Sequence, residues 1–167
     1  MEIQDVLSAR RSVRAYKGDA VEPEKLNAVL QAAQAAPTAC NLQPWRIVVL
    51  STAGREADLL RAYRGPWLAQ APLVLCFAAL PEKAWKRRDG KNYADVDATI
   101  AADHAILAAQ AQGLGTCWIA AFDTAAIQEV FHLEQGWEPV VITPLGYADE
   151  EPEARSRQEL ADLVRYL

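Results

Sequence analysis

What most narrows the fold of this chain is the order of its periodicities: two helix-patterned segments come before the first strand-patterned run. Ile3, Val6, Leu7 and Arg10 fall at helical spacing. Leu26, Val29, Leu30 and Ala33 repeat that spacing behind Glu22-Pro23-Glu24, where acids and a proline suit a helix start. The second helix should stop before Pro37. Only then comes Arg46-Ile47-Val48-Val49-Leu50, a β-branched run that reads as a buried strand. No Ser/Thr-Gly phosphate loop follows it, which excludes a flavodoxin-like electron carrier.

Downstream, residues 56–63 read as a helix with Leu59 and Leu60 inward, and Leu73–Ala79 as an apolar strand. The charged segment 81–92, with Trp85, reads as an exposed loop or lid. A long alanine-rich helix over 93–112 is closed by Gly113 as a left-handed cap. Its small side chains let another helix approach closely, so it belongs in the core or at a dimer seam. Residues 116–121 and 139–145 read as strands. Asp123 caps a short helix with Ile127, Val130 and Phe131 inward, and 158–167 read as a last amphipathic helix on Leu160, Leu163, Val164 and Leu167. Few strands, with helices ahead of them, give an α+β arrangement rather than a regular alternation.

A chain of 167 residues with 51% hydrophobic and 23% charged residues fits one compact domain, 1–167, with a substantial core. A net charge of −5 argues against nucleic acid or an anionic membrane as partner. The richest apolar stretch, 94–112, carries Asp97, Asp103, His104 and Gln110 and does not suit a bilayer. Cys40, Cys76 and Cys117 are odd in number and far apart, which disfavours disulfides and paired metal ligands. With a start lacking signal-peptide character, the expected compartment is the cytoplasm.

The basic residues are clustered, which suits a discrete anionic ligand. Arg10-Arg11-Ser12-Val13-Arg14 sets guanidinium forks around a hydroxyl, a phosphate-binding chemistry, although composition alone favours a solvated helix end. Pro37-Thr38-Ala39-Cys40-Asn41-Leu42-Gln43-Pro44-Trp45 is dense in short polar groups. Its Asn and Gln amides match a ring of alternating carbonyl and imino groups, or simply satisfy a turn. Gly113-Leu114-Gly115-Thr116-Cys117-Trp118 follows a helix rather than a strand, so it is neither a dinucleotide fingerprint nor a P-loop. Arg155-Ser156-Arg157 is a late basic pair, most simply a solvated surface.

In this order, from Val6 to about Arg157, these motifs resemble the FMN-dependent nitroreductase family. The resemblance implies a mixed, mainly antiparallel four- to five-stranded sheet flanked by helices. It also implies an intertwined homodimer with FMN at the subunit interface. Arg10, Arg11, Ser12 and Arg14 would hold the phosphate, ribityl chain and pyrimidine edge, with Arg155 and Arg157 completing the phosphate clamp. Pro37, Thr38, Asn41 and Gln43 would lie near the ring, and the backbone of Ala120 and Ala121 near N5 and O4. Larger members often carry an acid followed by Gly at that last point, so only backbone contacts transfer. The implied activity is ping-pong transfer of hydride from NAD(P)H through FMN to a nitroaromatic, quinone or similar small-molecule acceptor. No catalytic side chain is required. Other flavin chemistry on the same fold (dehalogenation, dehydrogenation, flavin reduction) and non-catalytic FMN storage or sensing remain alternatives.

Overall fold

The computed structural model describes residues 2–167. Helices α1 (Ile3–Ala9) and α2 (Pro23–Gln34) precede strand β1 (Trp45–Ser51). Then come α3 (Glu56–Ala62), β2 (Leu73–Ala79), α4 (Ala94–Ala111), β3 (Gly115–Thr116), α5 (Thr124–Val130), β4 (Glu138–Gly146) and α6 (Leu160–Leu163). The four strands form one sheet in the order β1-β2-β4-β3, with every neighbouring pair antiparallel. The parallel element is a single bridge from Ser12 to Thr116.

β2 has no polar residue because both its faces are covered. Val74 and Cys76 point to one side and pack with Leu59 of α3 and with Ile127 and Val130 of α5. Leu75 and Phe77 point to the other and pack with Val29 and Ala33 of α2 and with Ala101, Ala105 and Ala109 of α4. The alanine stripe of α4 thus lies in the core, where the absence of bulk lets α2 sit close. His104 joins that contact, with Nδ1 3.3 Å from the Ala32 carbonyl oxygen. Asp123 caps α5 by accepting the Ala126 N–H at 2.8 Å, and Gly113 closes α4 with φ +75°.

Three expectations need correction. The third strand is two residues long rather than six; beyond it only Ile119 returns, bridging Ile142. Leu60 faces solvent, and Leu59 alone of that pair is buried. The last helix shrinks to Leu160–Leu163, because its apolar residues find no surface of this chain to cover and one turn cannot propagate unaided. Segment 81–92 is the exposed loop expected, and it is anchored to the body. It holds a turn at Pro81–Lys83, the Lys86–Asn92 bridge and a buried Ala84, while Trp85 meets Tyr93 edge-to-face at 5.0 Å.

Candidate functional site

At Arg10 the backbone leaves α1 and becomes extended, its N–H still donating to the Val6 carbonyl at 3.0 Å. The side chains then divide between core and cleft without a strict alternation. Val13 and Tyr16 turn inward, the Tyr16 hydroxyl donating to the Val13 carbonyl at 2.7 Å, while Arg10, Arg11, Ser12 and Arg14 turn outward. The Val13 N–H donates to the Thr116 carbonyl at 2.9 Å, tying this segment to the sheet edge.

After β4 the chain continues antiparallel to residues 15–17. Lys17 N–H donates to the Tyr147 carbonyl and Asp149 N–H to the Ala15 carbonyl, each at 2.9 Å. The Arg14 N–H donates to the Glu150 carboxylate. This zipper lays residues 152–157 beside residues 10–14. Between them opens a cleft of about 760 Å³, lined by Arg10, Arg11, Ser12 and Arg14 on one side and by Arg155 and Arg157 on the other.

The electrostatics of the cleft are one-sided. Five guanidinium groups line it against a single carboxylate, Glu153. Among the described residues Arg46, Arg61 and Arg87 are in ion pairs, whereas none of the five cleft arginines is. Their charge is therefore available to a ligand, and forked donors facing one another suit a dianionic phosphate. Cys117 lies behind the cleft. Burial pushes its thiol above the usual range, opposed by the positive charge of Arg14, a hydrogen bond from Ser12 and the charge of Arg10.

The loop between α2 and β1 is built differently. Cys40, Asn41 and Gln43 all have left-handed backbones, with φ of 52°, 54° and 50°. Asn tolerates this region; Cys and Gln are held there at a cost. Thr38 Oγ1 accepts the Gln43 N–H at 3.0 Å, and Gln43 Nε2 donates at 3.2 Å to both the backbone and the side-chain oxygen of Asn41. The Ala39 N–H donates at 3.2 Å to Asp97 Oδ1 from α4, and the Leu80 N–H donates at 2.8 Å to the Pro44 carbonyl. Pro37, Asn41 and Gln43 are exposed and Thr38 half-buried.

Arg10, Arg11, Ser12, Arg14, Arg155 and Arg157 are thus brought together, although the two groups lie at opposite ends of the sequence. Pro37, Thr38, Asn41 and Gln43 do not line that cleft, nor do the exposed Ala120 and Ala121 before α5. Sequence reasoning missed Asp97, which is 2% exposed. The signal was an acid set in the alanine face of a helix, read only as an argument against a membrane span. Glu150, which fastens the segment after β4, was missed too.

Among the described residues no helix is long and apolar enough to cross a membrane, and no group of His, Cys, Asp and Glu is placed to hold a metal ion.

Comparison with known proteins fits this geometry. The nitroreductase family model matches residues 7–63 and 55–147. The crystal structure of a nitroreductase family protein from Clostridium difficile superposes with a TM-score of 0.90 at 34% identity, over 99% of this chain and 98% of that one. A second, from Clostridium novyi, gives 0.83 at 28% identity, over 93% and 89% of the two chains. A Thermus thermophilus protein named NADH dehydrogenase is 29% identical over 186 residues, 93% of this chain and 91% of the relative. The chain belongs to the nitroreductase family, and its fold and motifs are those of an oxidoreductase of that type.

Proposed function

We propose that this chain, acting as one unit over its whole length, is an FMN-dependent oxidoreductase that takes hydride from NADH or NADPH and reduces small organic acceptors. The observation that carries the reading is the cleft of five arginines, none in an ion pair among the described residues, a receptor for a phosphate ester on an otherwise acidic protein. The residues present fit FMN. Arg10, Arg11, Arg155 and Arg157 would hold the phosphate by charge-assisted hydrogen bonds, and Ser12 would add a hydroxyl. Arg14 would bring positive charge toward the pyrimidine edge, where it favours reduced flavin. Bound there, FMN would supply hydride acceptance and donation at one ring position. The donor and the acceptor would use the same pocket in turn, in a ping-pong order. This chain's residues bind and orient; none is asked to move a proton.

We further propose that the working form is a homodimer. Loop 37–44 presents Asn41 and Gln43 to solvent away from its own chain's cleft. A ring anchored in one cleft would therefore meet the loop of a second copy. The exposed Leu160, Leu163, Val164 and Tyr166 would be covered in the same assembly. The name of the Thermus thermophilus relative supports NADH as one donor.

The test is an absorbance spectrum of the purified protein, followed by anaerobic addition of NADH and then NADPH. Flavin bands that bleach with either, and return with a quinone or nitroaromatic, would establish the activity. Bound flavin that never bleaches would mean storage or sensing. Protein that is colourless and takes up no added FMN would overturn the reading.

A further inference from the structure

Among the described residues, two buried side-chain polar atoms have no hydrogen-bond partner: Asp97 Oδ2 and Trp45 Nε1. Such groups are rare in native proteins because leaving them unpaired forfeits their hydration, so each demands an account. They are complementary, since a carboxylate oxygen only accepts and an indole N–H only donates. They also share a locality. Trp45 packs against the cluster containing Ala94 and Ala98, which are Asp97's neighbours on α4 three residues before and one after. Asp97 Oδ1 already accepts the Ala39 N–H at 3.2 Å. Ala39 precedes the left-handed residues Cys40, Asn41 and Gln43 and Trp45 follows them, so the two partners of one carboxylate would stand at either end of the loop.

We propose that Asp97 is the positioning residue of loop 38–45. One oxygen holds the Ala39 amide directly, and the other holds the Trp45 indole through a single buried water. That water accepts from the indole and donates to the carboxylate, which satisfies both orphan atoms. Held at both ends, the backbone at Cys40 and Gln43 stays in a region those residues would otherwise leave. Asn41 and Gln43 are thereby kept in register for the flavin ring. Asp97 sits in the first turn of α4, where the free N–H groups favour a buried negative charge. Its link to the ring rests on the function proposed above; its link to the loop does not.

The experiment uses ¹⁵N-labelled full-length protein with two variants of Asp97. Trp45→Phe assigns the Trp45 indole resonance by its disappearance. In Asp97→Asn and Asp97→Leu that resonance should move and lose protection from solvent exchange. Asp97→Leu should bind FMN about tenfold more weakly and also lower the thermal midpoint without FMN, since it leaves the Ala39 amide and the Trp45 indole without their acceptor. Asp97→Asn, which keeps an acceptor for Ala39, should fall between the two in FMN affinity. A residue with only a packing role would lower the midpoint and leave the FMN dissociation constant alone, and that result would overturn the proposal. An indole resonance unmoved in both variants would overturn it as well. A parent protein that binds no FMN, with an indole that still answers to Asp97, would uphold the clamp and overturn the functional reading.

Discussion

Replacing Gly115 by Ala would disturb the arginine cleft from behind. A Cβ at Gly115 would lie 3.0 Å from Val13 Cγ2 and 3.1 Å from both Val13 Cβ and Cγ1. All three contacts are tighter than nearly all carbon contacts in proteins. Rotating the Val13 side chain exchanges its methyls without moving its Cβ, so the backbone must give by a few tenths of an ångström. Overpacking of this kind costs about 1–3 kcal/mol. A smaller loss of chain entropy in the unfolded alanine variant returns about 0.4–1 kcal/mol. The net destabilisation should be about 1–2 kcal/mol, a fall in Tm of about 2–8 °C for a chain of this size. Val13 lies between Ser12 and Arg14, and its N–H is bonded to the Thr116 carbonyl, so both cleft residues move with it. FMN affinity should therefore drop about three- to tenfold, the worth of one weakened hydrogen bond. Gly113→Ala is the control. It has no atom within 4 Å of the new Cβ but a φ of +75°, so it should lose about 1 kcal/mol through backbone strain without touching the cleft. Thermal melts and FMN titrations of both variants decide the matter. Equal Tm losses with equal FMN affinities would refute the coupling of Val13 to the ligand. A Gly115→Ala protein as stable as its parent would refute the steric reasoning itself.

Arg10→Ala combined with Arg157→Ala removes a guanidinium from each wall of the cleft and should weaken FMN by about a hundredfold or more in equilibrium titration. An unchanged dissociation constant would dismiss the clamp. Cys40 is exposed, whereas burial pushes the Cys76 thiol up to about 12 and raises that of Cys117. A thiol reagent at pH 8 should then label one cysteine of the native protein quickly and all three only after denaturation. Burial also raises the Tyr16 hydroxyl well above its ordinary value. For Cys76 and Tyr16 alike the folded state retains a proton that the unfolded chain loses, near pH 8.5 and pH 10 respectively. Their contribution is thus complete below about pH 8.5 and falls as pH rises, by about 1.4 kcal/mol per unit for each group once ionised in the unfolded state. Urea midpoints at pH 7, 9 and 10.5 should decline in that order; a flat series would contradict the burial of both groups.

Much of the fold was legible because its elements carry strong local signals. Leu73–Ala79 is an unbroken apolar run, Gly113 and Asp123 punctuate helices by chemistry that needs no tertiary help, and α4 has a composition few loops could bear. Failures came where a long-range partner decides. Thr116 belongs to a strand, but Cys117 and Trp118 leave the ladder before Ile119 rejoins β4. Residues 158–167 have a helical pattern and no surface to answer it. In the site, the arginine segment was visible as a cluster, yet nothing local joins Arg14 to Arg157. That meeting depends on the segment after β4 and on Glu150, an acid indistinguishable in sequence from its acidic neighbours. Asp97 was hidden for a related reason, since one charge in an alanine helix looks like solvent exposure until the loop above it is placed.

The strand order has a consequence for synthesis. β4 is the last strand to leave the ribosome, yet it belongs between β2 and β3. Until it emerges, β2 has β1 on one side and a bare row of peptide groups on the other, in a segment with no charge to discourage foreign strands. The nascent protein is therefore most adhesive in mid-translation, when most of its apolar mass exists and its central gap is open. The residues that close the arginine cleft follow β4 directly. A ribosome that stalls just short of them releases a chain already rich in core and unable to hold the ligand that would steady it.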